Sequence, residues 1–338
     1  MSAIRVLIEP TDRGLYCRAG DFYIDPWRPV ERALITHAHA DHARAGHGRY
    51  WTAAAGEALL RHRLGRDIDC QGVDYGETLR FGDTRVSFHP AGHVLGSSQI
   101  RVEAAGEVWV ASGDYKRDHD PTCADFEIVP CDTFITEATF ALPVYRWAPS
   151  AEVARDVAAW WRDNAAAGRA SVLFCYALGK AQRLLAELSE CADLPEDHAY
   201  LHGALVPLTQ IYREAGIEML ATTPVTEQPR DHDFSRSLTL APPSAAGSRW
   251  MRRFGEHRTG FASGWMRIRG NRRRRGYDRG FVLSDHADWP GLIDTIEATG
   301  AQRVLATHGR TDVLVAYLRE RGIAAEPLVT DYEDGPDV

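Results

Sequence analysis

His37-Ala38-His39-Ala40-Asp41-His42 follows directly on the apolar run Ala33-Leu34-Ile35-Thr36. Alternate side chains of an extended segment point the same way, so His37 and His39 can share one cation. Asp41 and His42 can then turn toward a second. Three imidazoles and a carboxylate in six residues suit two borderline cations a few ångströms apart. The plain alternative is a polar loop with coincidental histidines. The H-x-H-x-D-H spacing after a buried strand is far more specific than most short motifs.

Two such cations need further ligands, and other strand ends offer them. PAGHVLGS presents His93, with Gly92 and Gly96 allowing close backbone approach. ASGDYKRD presents Asp114 after EVWVASG, and a carboxylate bridges two cations naturally, one oxygen to each. ATHGR presents His308 after RVLAT.

The surrounding chain reads as α/β. Short strand-like runs fill the first third: VLIE, FYID, ALIT, GRYWTA, TLRFGDTRVSFHPA, SSQIRVEAAGEVWVASGD and CDTFITEATF, with Phe81-Gly82-Asp83 as a turn. Near residue 150 the pattern changes. SAEVARDVAAWWRDNAAAG has helical spacing, with Ser150 as N-cap and Gly168 as C-cap. SVLFCYALGKAQRLLAELSE and LHGALVPLTQIYREAG continue as strand–helix units, and 222–248 reads as loop apart from a strand in SRSLTLAPP. FVLSDHADWPGLIDTIEATG, RVLATHG and TDVLVAYLRERG restore the alternation. A length of 338 residues allows two domains, or one large domain carrying an insertion.

Composition excludes several classes. No apolar run is long enough to span a membrane, and the first residues lack the pattern of a secretory signal. Six cysteines form no C-x-x-C pair, which fits reduced thiols in a cytoplasm. The net charge of −8 argues weakly against a nucleic-acid partner, but the charge is unevenly placed. Between Arg249 and Arg279 stand eleven arginines against Glu256 and Asp278, a local +9.

The histidine cluster with His93, Asp114 and His308 resembles the metallo-β-lactamase superfamily, whose fold is an αββα sandwich with metals at one sheet edge. The resemblance implies His37, His39 and His93 on one metal, Asp41, His42 and His308 on the other, and Asp114 between them. Asp25 in FYIDP matches the family's early aspartate, which orients the histidine loop from behind. Aspartate at 114, where some β-lactamases use cysteine, weakens an antibiotic-hydrolase reading. Glu137 in FITEATF, CYALGKAQRLL, ASGWM and His286 in LSDHADW resemble the β-CASP nuclease branch, which inserts an αβ domain. That implies a metallo-β-lactamase domain over 1–145 and 281–338, with a β-CASP domain over 146–280. EATFALPVYRW and GDYKRDHDPTC look closest to the bacterial ligase-associated DNA exonucleases.

The resemblance therefore implies a cytoplasmic DNA exonuclease in repair, 5′-to-3′, working with an ATP-dependent DNA ligase and a helicase. An RNA-processing nuclease of the same branch is the alternative. A small-molecule hydrolase would need neither the inserted domain nor Glu137 and His286, and a silent scaffold would not keep the full ligand set. The catalytic assignments are Asp41, Glu137 and His286. Two divalent ions lower the pKa of the attacking water, and His286, oriented by Glu137, protonates the leaving sugar oxygen. Imidazole and carboxylate suit Zn²⁺, with Mn²⁺ or iron as alternatives. Gly179, Lys180 and Gln182 open a helix whose N–H groups would hold phosphate. Ser263, Gly264 and Trp265 form a small-residue turn with a ring for base stacking. Arg272, Arg273, Arg274 and Arg275 would track the backbone electrostatically. The remaining histidines, His47 and His89 among them, and Trp160-Trp161 read as structural.

Overall fold

The computed structural model describes residues 6–268 and 276–330. They divide into two compact units. One joins the chain up to Arg146 with that from His286 onward, and the other runs Trp147–Asp285.

The first unit opens with a sheet of short strands: β1 (Glu9–Pro10), β2 (Leu15–Cys17), β3 (Phe22–Ile24), β4 (Arg32–Leu34), β5 (Arg49–Ala53) and β6 (Cys70–Val73). They lie in chain order, antiparallel up to β3 and parallel from β3 to β6. Helix α1 (Glu57–Leu64) connects β5 to β6. A parallel connection must carry the chain back along the sheet, here through a helix, whereas a hairpin needs only a turn. The next strands make hairpins: β7 (Thr78–Phe81), β8 (Thr84–Pro90), β9 (Ser98–Ala104) and β10 (Glu107–Ala111), with β11 (Thr133–Glu137) parallel to β10.

The second unit is a sheet of parallel strands with helices between them. Its strands are β12 (Ala170–Phe174), β13 (His198–Leu201), β14 (Ala221–Pro224), β15 (Leu238–Ala241), β16 (His257–Ala262) and β17 (Arg279–Phe281). Their order is β14-β13-β15-β12-β16-β17. The helices are α2 (Ser150–Ala166), α3 (Lys180–Ser189) and α4 (Val206–Glu214). Helix α2 buries Val153, Val157, Trp160 and Trp161 on one face. Its N-cap is Pro149 rather than Ser150, and Ala167 rather than Gly168 caps its other end. Strand β14 lies in a stretch whose sequence reads as loop. It is an edge strand of Thr and Pro with no apolar face to bury, so no alternation marks it.

The chain then returns to the first unit through α5 (Trp289–Thr299), β18 (Arg303–Thr307), α6 (Thr311–Glu320) and β19 (Ala324–Pro327). These strands complete a second sheet, ordered β19-β18-β11-β10-β9-β8-β7. One core joins Leu15, Phe22, Ile24 and Leu34 of the first sheet to Phe88, Ile100, Val102, Trp109 and Ile135 of the second. On the far side of the second sheet, Val110, Phe134 and Val304 pack against Leu292, Ile296, Leu314 and Leu318. Outside the first sheet, Ala33 and Tyr50 pack on Leu60 and partly buried Leu64 of α1. The unit is thus four layers deep, helix–sheet–sheet–helix; its parallel strands are covered on both faces, while the antiparallel β7–β9 turn one face toward solvent. Among the described residues no helix is long and apolar enough to cross a membrane.

Gly96 shows how tightly the turn after β8 is packed. Its φ is +74°, and a β-carbon there would overlap the backbone of Gly56. Gly96→Ala is expected to cost about 2 kcal/mol or more, from left-handed strain plus overlap, read as a lower thermal midpoint.

Candidate metal centre

Every candidate ligand leaves the carboxyl end of a strand in the first unit. Strand β3 ends one residue before Asp25, and β4 leads into His37–His42. His93 follows β8, Asp114 follows β10, Glu137 ends β11 and His308 follows β18. Strands β3 and β4 are parallel, as are β10, β11 and β18. Strand β8 runs the same way as β10, because both are antiparallel to β9. Equal direction within each sheet puts these loops at one edge of it, and the side-chain contacts show that the two edges meet.

There the side chains form two groups. His37 Nε2 and His93 Nε2 lie 3.1 and 3.0 Å from His39 Nδ1. His42 Nε2 lies 3.1 Å from His308 Nε2 and 3.7 Å from Asp41 Oδ2. Tetrahedral ligands at the usual zinc distance stand about 3.3 Å apart, so this is the spacing of ligands converging on a cation. Asp114 Oδ2 lies between the groups, 3.4 Å from His42 Nε2, 3.6 Å from His37 Nε2 and 3.8 Å from His93 Nε2. Its other oxygen, Oδ1, is buried and has no hydrogen-bond partner among the described residues. A buried carboxylate oxygen left unsatisfied in a nest of imidazoles fits a bridging ligand. Three sets of side chains here could hold a metal ion: His37, His39, His93 and Asp114; Asp41, His42 and His308; and Asp114, Glu137 and His286.

Charge and burial prepare the ligands. Burial pushes His37 and His308 well below or below the ordinary histidine range, toward the neutral form that ligates. Burial also acts on His42, but Asp114, Asp41 and a bond to Asp25 outweigh it and raise its pKa. Burial would raise the Asp114 carboxyl, yet His42, His286 and His37 hold it well below the usual range.

A support network sits behind the loop. Thr36 N and Oγ1 donate to Asp25 at 2.7 and 2.6 Å, and Asp25 Oδ2 meets His42 Nδ1 at 2.7 Å. Asp25 adopts φ +41° and His308 φ +57°, left-handed conformations that side-chain residues keep only where the surroundings enforce them. Arg63, from α1, donates to Ala38 O at 2.5 Å and steadies the loop from outside. Asp25 is legible in the sequence; Thr36 and Arg63 are not, since a strand threonine and a helix arginine carry no distinctive spacing. Asp25→Ala is expected to weaken metal affinity about 10–100-fold while the fold persists, measured by competition with a coloured chelator.

Glu137 and His286 meet beside Asp114. His286 Nδ1 lies 2.9 Å from Glu137 Oε2, and Tyr115 N donates to Glu137 Oε1 at 2.7 Å. Both residues are buried. Asp288, not His286, caps α5, accepting from Gly291 N at 2.9 Å.

The expected nucleic-acid contacts in the second unit differ. Gly179 N donates to Gln182 Oε1 at 2.8 Å, and Gln182 Nε2 bonds Ala177 O and Thr209 Oγ1. Lys180 is buried, 3.1 Å from Asp285 Oδ2, with Nζ over the Tyr176 ring. The start of α3 is thus an internal joint rather than an open phosphate cradle, because its polar groups are consumed at home. Ser263 and Gly264 are buried too, and Ser263 Oγ accepts from Trp265 N at 3.3 Å as a cap. Trp265 packs, partly buried, on the unit's core. Arg272, Arg273, Arg274 and Arg275 lie outside the described residues. His47 is buried, accepts from Val30 N and has its pKa pushed down to about 4 by burial; His89 bonds Ser87 and Glu127.

No family model matches the chain. A probable DNA ligase of Opitutus terrae is 34% identical over 324 residues, which cover 94% of this chain and 31% of that protein. Endoribonuclease YSH1 of Mycosarcoma maydis is 27% identical over 51% of this chain and 24% of its own length. Ribonuclease TTHA0252 of Thermus thermophilus is 25% identical over 57% of this chain and 48% of its own. The chain thus spans less than half the length of each of these relatives. A solved structure of a protein of unknown function from Enterococcus faecalis V583 shares the fold, with a TM-score of 0.59 over 90% of this chain and 80% of that one, at 12% identity.

Proposed function

We propose that the chain is a metal-dependent nuclease of the metallo-β-lactamase/β-CASP type, acting as a DNA exonuclease in repair with 5′-to-3′ polarity. The observation that carries the phosphodiesterase reading is the Glu137–His286 pair, set 4.0 Å from the central carboxylate Asp114. A thioester expels a thiolate that needs no proton, whereas expelling a sugar alkoxide needs one. The layered first unit and its edge cluster support the family assignment. Relatives named as ribonucleases support nucleic acid as substrate.

His37, His39 and His93 would hold one divalent ion, Asp41, His42 and His308 the other, with Asp114 shared. Bound there, two such ions supply Lewis acidity to the phosphate and lower the pKa of the attacking water. The chain's own groups do the rest. Asp25 and Thr36 fix the His42 ring. Glu137, held by Tyr115 N, occupies His286 Nδ1, so the transferable proton sits on Nε2 and is delivered to the leaving oxygen.

DNA is favoured over RNA because the relative matched along almost this whole chain is named a DNA ligase, and this chain corresponds to part of it. RNA is the second reading, favoured by the names of the two ribonucleases. Digestion of 5′- and 3′-labelled single-stranded DNA, duplex DNA and RNA decides between them. Mononucleotide release from the 5′ end of DNA is expected. Preferential internal cutting of RNA would replace this reading with the second.

A further inference from the structure

All strands of the second unit are parallel, so their connecting loops gather at a carboxyl edge, where open α/β sheets bind ligands. At that edge His202 follows β13, its N bonded to Leu240 O of β15 at 2.9 Å. Its Nδ1 accepts from Ala204 N at 3.1 Å, which fixes the ring. Trp250 packs edge-on against it, with centroids 4.9 Å apart, and against Phe254 at 4.7 Å. Both His202 and Trp250 keep part of their surface in solvent.

Trp250 belongs to a 3₁₀ turn, Arg249–Phe254, whose six residues carry three arginines and no acid. The three differ in role. Arg253 is structural: its Nη2 donates to Gln228 O and Pro229 O at 3.2 and 2.9 Å, and its guanidinium lies over Phe234. Arg249 and Arg252 are exposed, and their side chains make no hydrogen bond or ion pair among the described residues. Three residues apart on a 3₁₀ turn, they share a face about 6 Å along the axis, comparable to the separation of successive phosphates on an extended strand. Among the described residues no hydrogen bond or ion pair occupies Arg249 or Arg252, and they flank a braced tryptophan that packs on the unit's core yet keeps part of its surface in solvent.

We propose that this turn is a subsite for single-stranded nucleic acid, with a base stacked on Trp250 and flanking phosphates paired with Arg249 and Arg252. This identifies where the strand is held and rests on the nuclease reading above. A rigid ring bearing adjacent cations is the pairing that sequence-tolerant strand binding uses. A merely acidic partner would have no use for the braced ring.

The test uses the full chain in chelator, where binding is read without cleavage, and the anisotropy of fluorescein-labelled oligothymidylate and oligouridylate. Trp250→Ala is expected to weaken both about tenfold, with Trp250→Phe restoring most of the affinity. Arg249→Ala with Arg252→Ala should weaken binding and lower the slope of log affinity against log salt by about 1.4. Arg66→Ala with Arg80→Ala, exposed arginines of the first unit, removes equal charge and should leave affinity unchanged. Thermal midpoints confirm that the variants fold. Parent-like affinity in the Trp250 and arginine variants overturns the subsite, as does equal loss in the charge control or displacement by polyglutamate as readily as by oligonucleotide. Because binding is measured apart from turnover, a chain that binds as proposed yet cleaves nothing would contradict the nuclease reading alone.

Discussion

Asp114→Ala is expected to reduce bound metal from two ions per chain to one or fewer and to bring cleavage to background. Asp114 Oδ2 lies within 3.8 Å of nitrogens from both histidine groups. With two ions held as proposed, its removal would take a ligand from both and leave the two cations without a shared negative charge between them. On the proposed two-ion mechanism the loss should exceed that of any single histidine variant, and on the order of 10³-fold is a lower bound. Asp114→Asn keeps the shape but loses the charge, and should recover little. Full metal content with wild-type turnover in Asp114→Ala would show that the carboxylate is a bystander. Elemental analysis of the desalted chain, run beside a turnover assay, reads both quantities.

His286→Ala is expected to behave in the opposite way, keeping both ions while turnover on DNA falls about 10²–10⁴-fold, the usual contribution of a positioned acid. The leaving group separates this role from ligation. A nitrophenyl phosphodiester expels a stable anion that needs no proton, so the same variant should lose tenfold or less on that substrate. Glu137→Gln should share the pattern in weaker form, because an amide oxygen can still accept from His286 Nδ1 but the carboxylate's charge beside the ring is gone. His286 also belongs to a set with Asp114 and Glu137 that could itself hold an ion. Loss of metal in His286→Ala, with equal losses on both substrates, would make it a ligand instead.

How much of this was legible in the sequence follows from where each signal lives. His37 to His42, His93, Asp114 and His308 share one recognisable form, a polar ligand just after an apolar strand, and the fold brings these positions to one edge. Glu137 and His286 lie 149 residues apart and came from resemblance, because no local pattern pairs them. Lys180, Gln182 and Ser263 show the opposite limit. A lysine after glycine at a helix start looks like a phosphate cradle, and only tertiary structure shows its charge already taken by Asp285. Thr36 and Arg63 are silent for the same reason: their roles depend on partners distant in the chain. The alternation of strands and helices was readable for much of the chain, but α1 and the short strands β2, β6, β14, β16 and β19 were not, since none carries a marked apolar run. How the first unit's strands sort into two sheets was not, since short apolar runs of either sheet look alike in sequence.

On the proposed mechanism, paired ions at one sheet edge cut phosphodiesters. Stepwise addition of Zn²⁺ or Mn²⁺ to the chelator-stripped chain, with release of label from 5′-labelled DNA followed at each step, tests it most directly. Negligible release is expected at the first equivalent, with a rise to full activity at the second and no rise in Asp114→Ala. Undiminished release without metal, or two bound ions with neither DNA nor RNA cut, would contradict it.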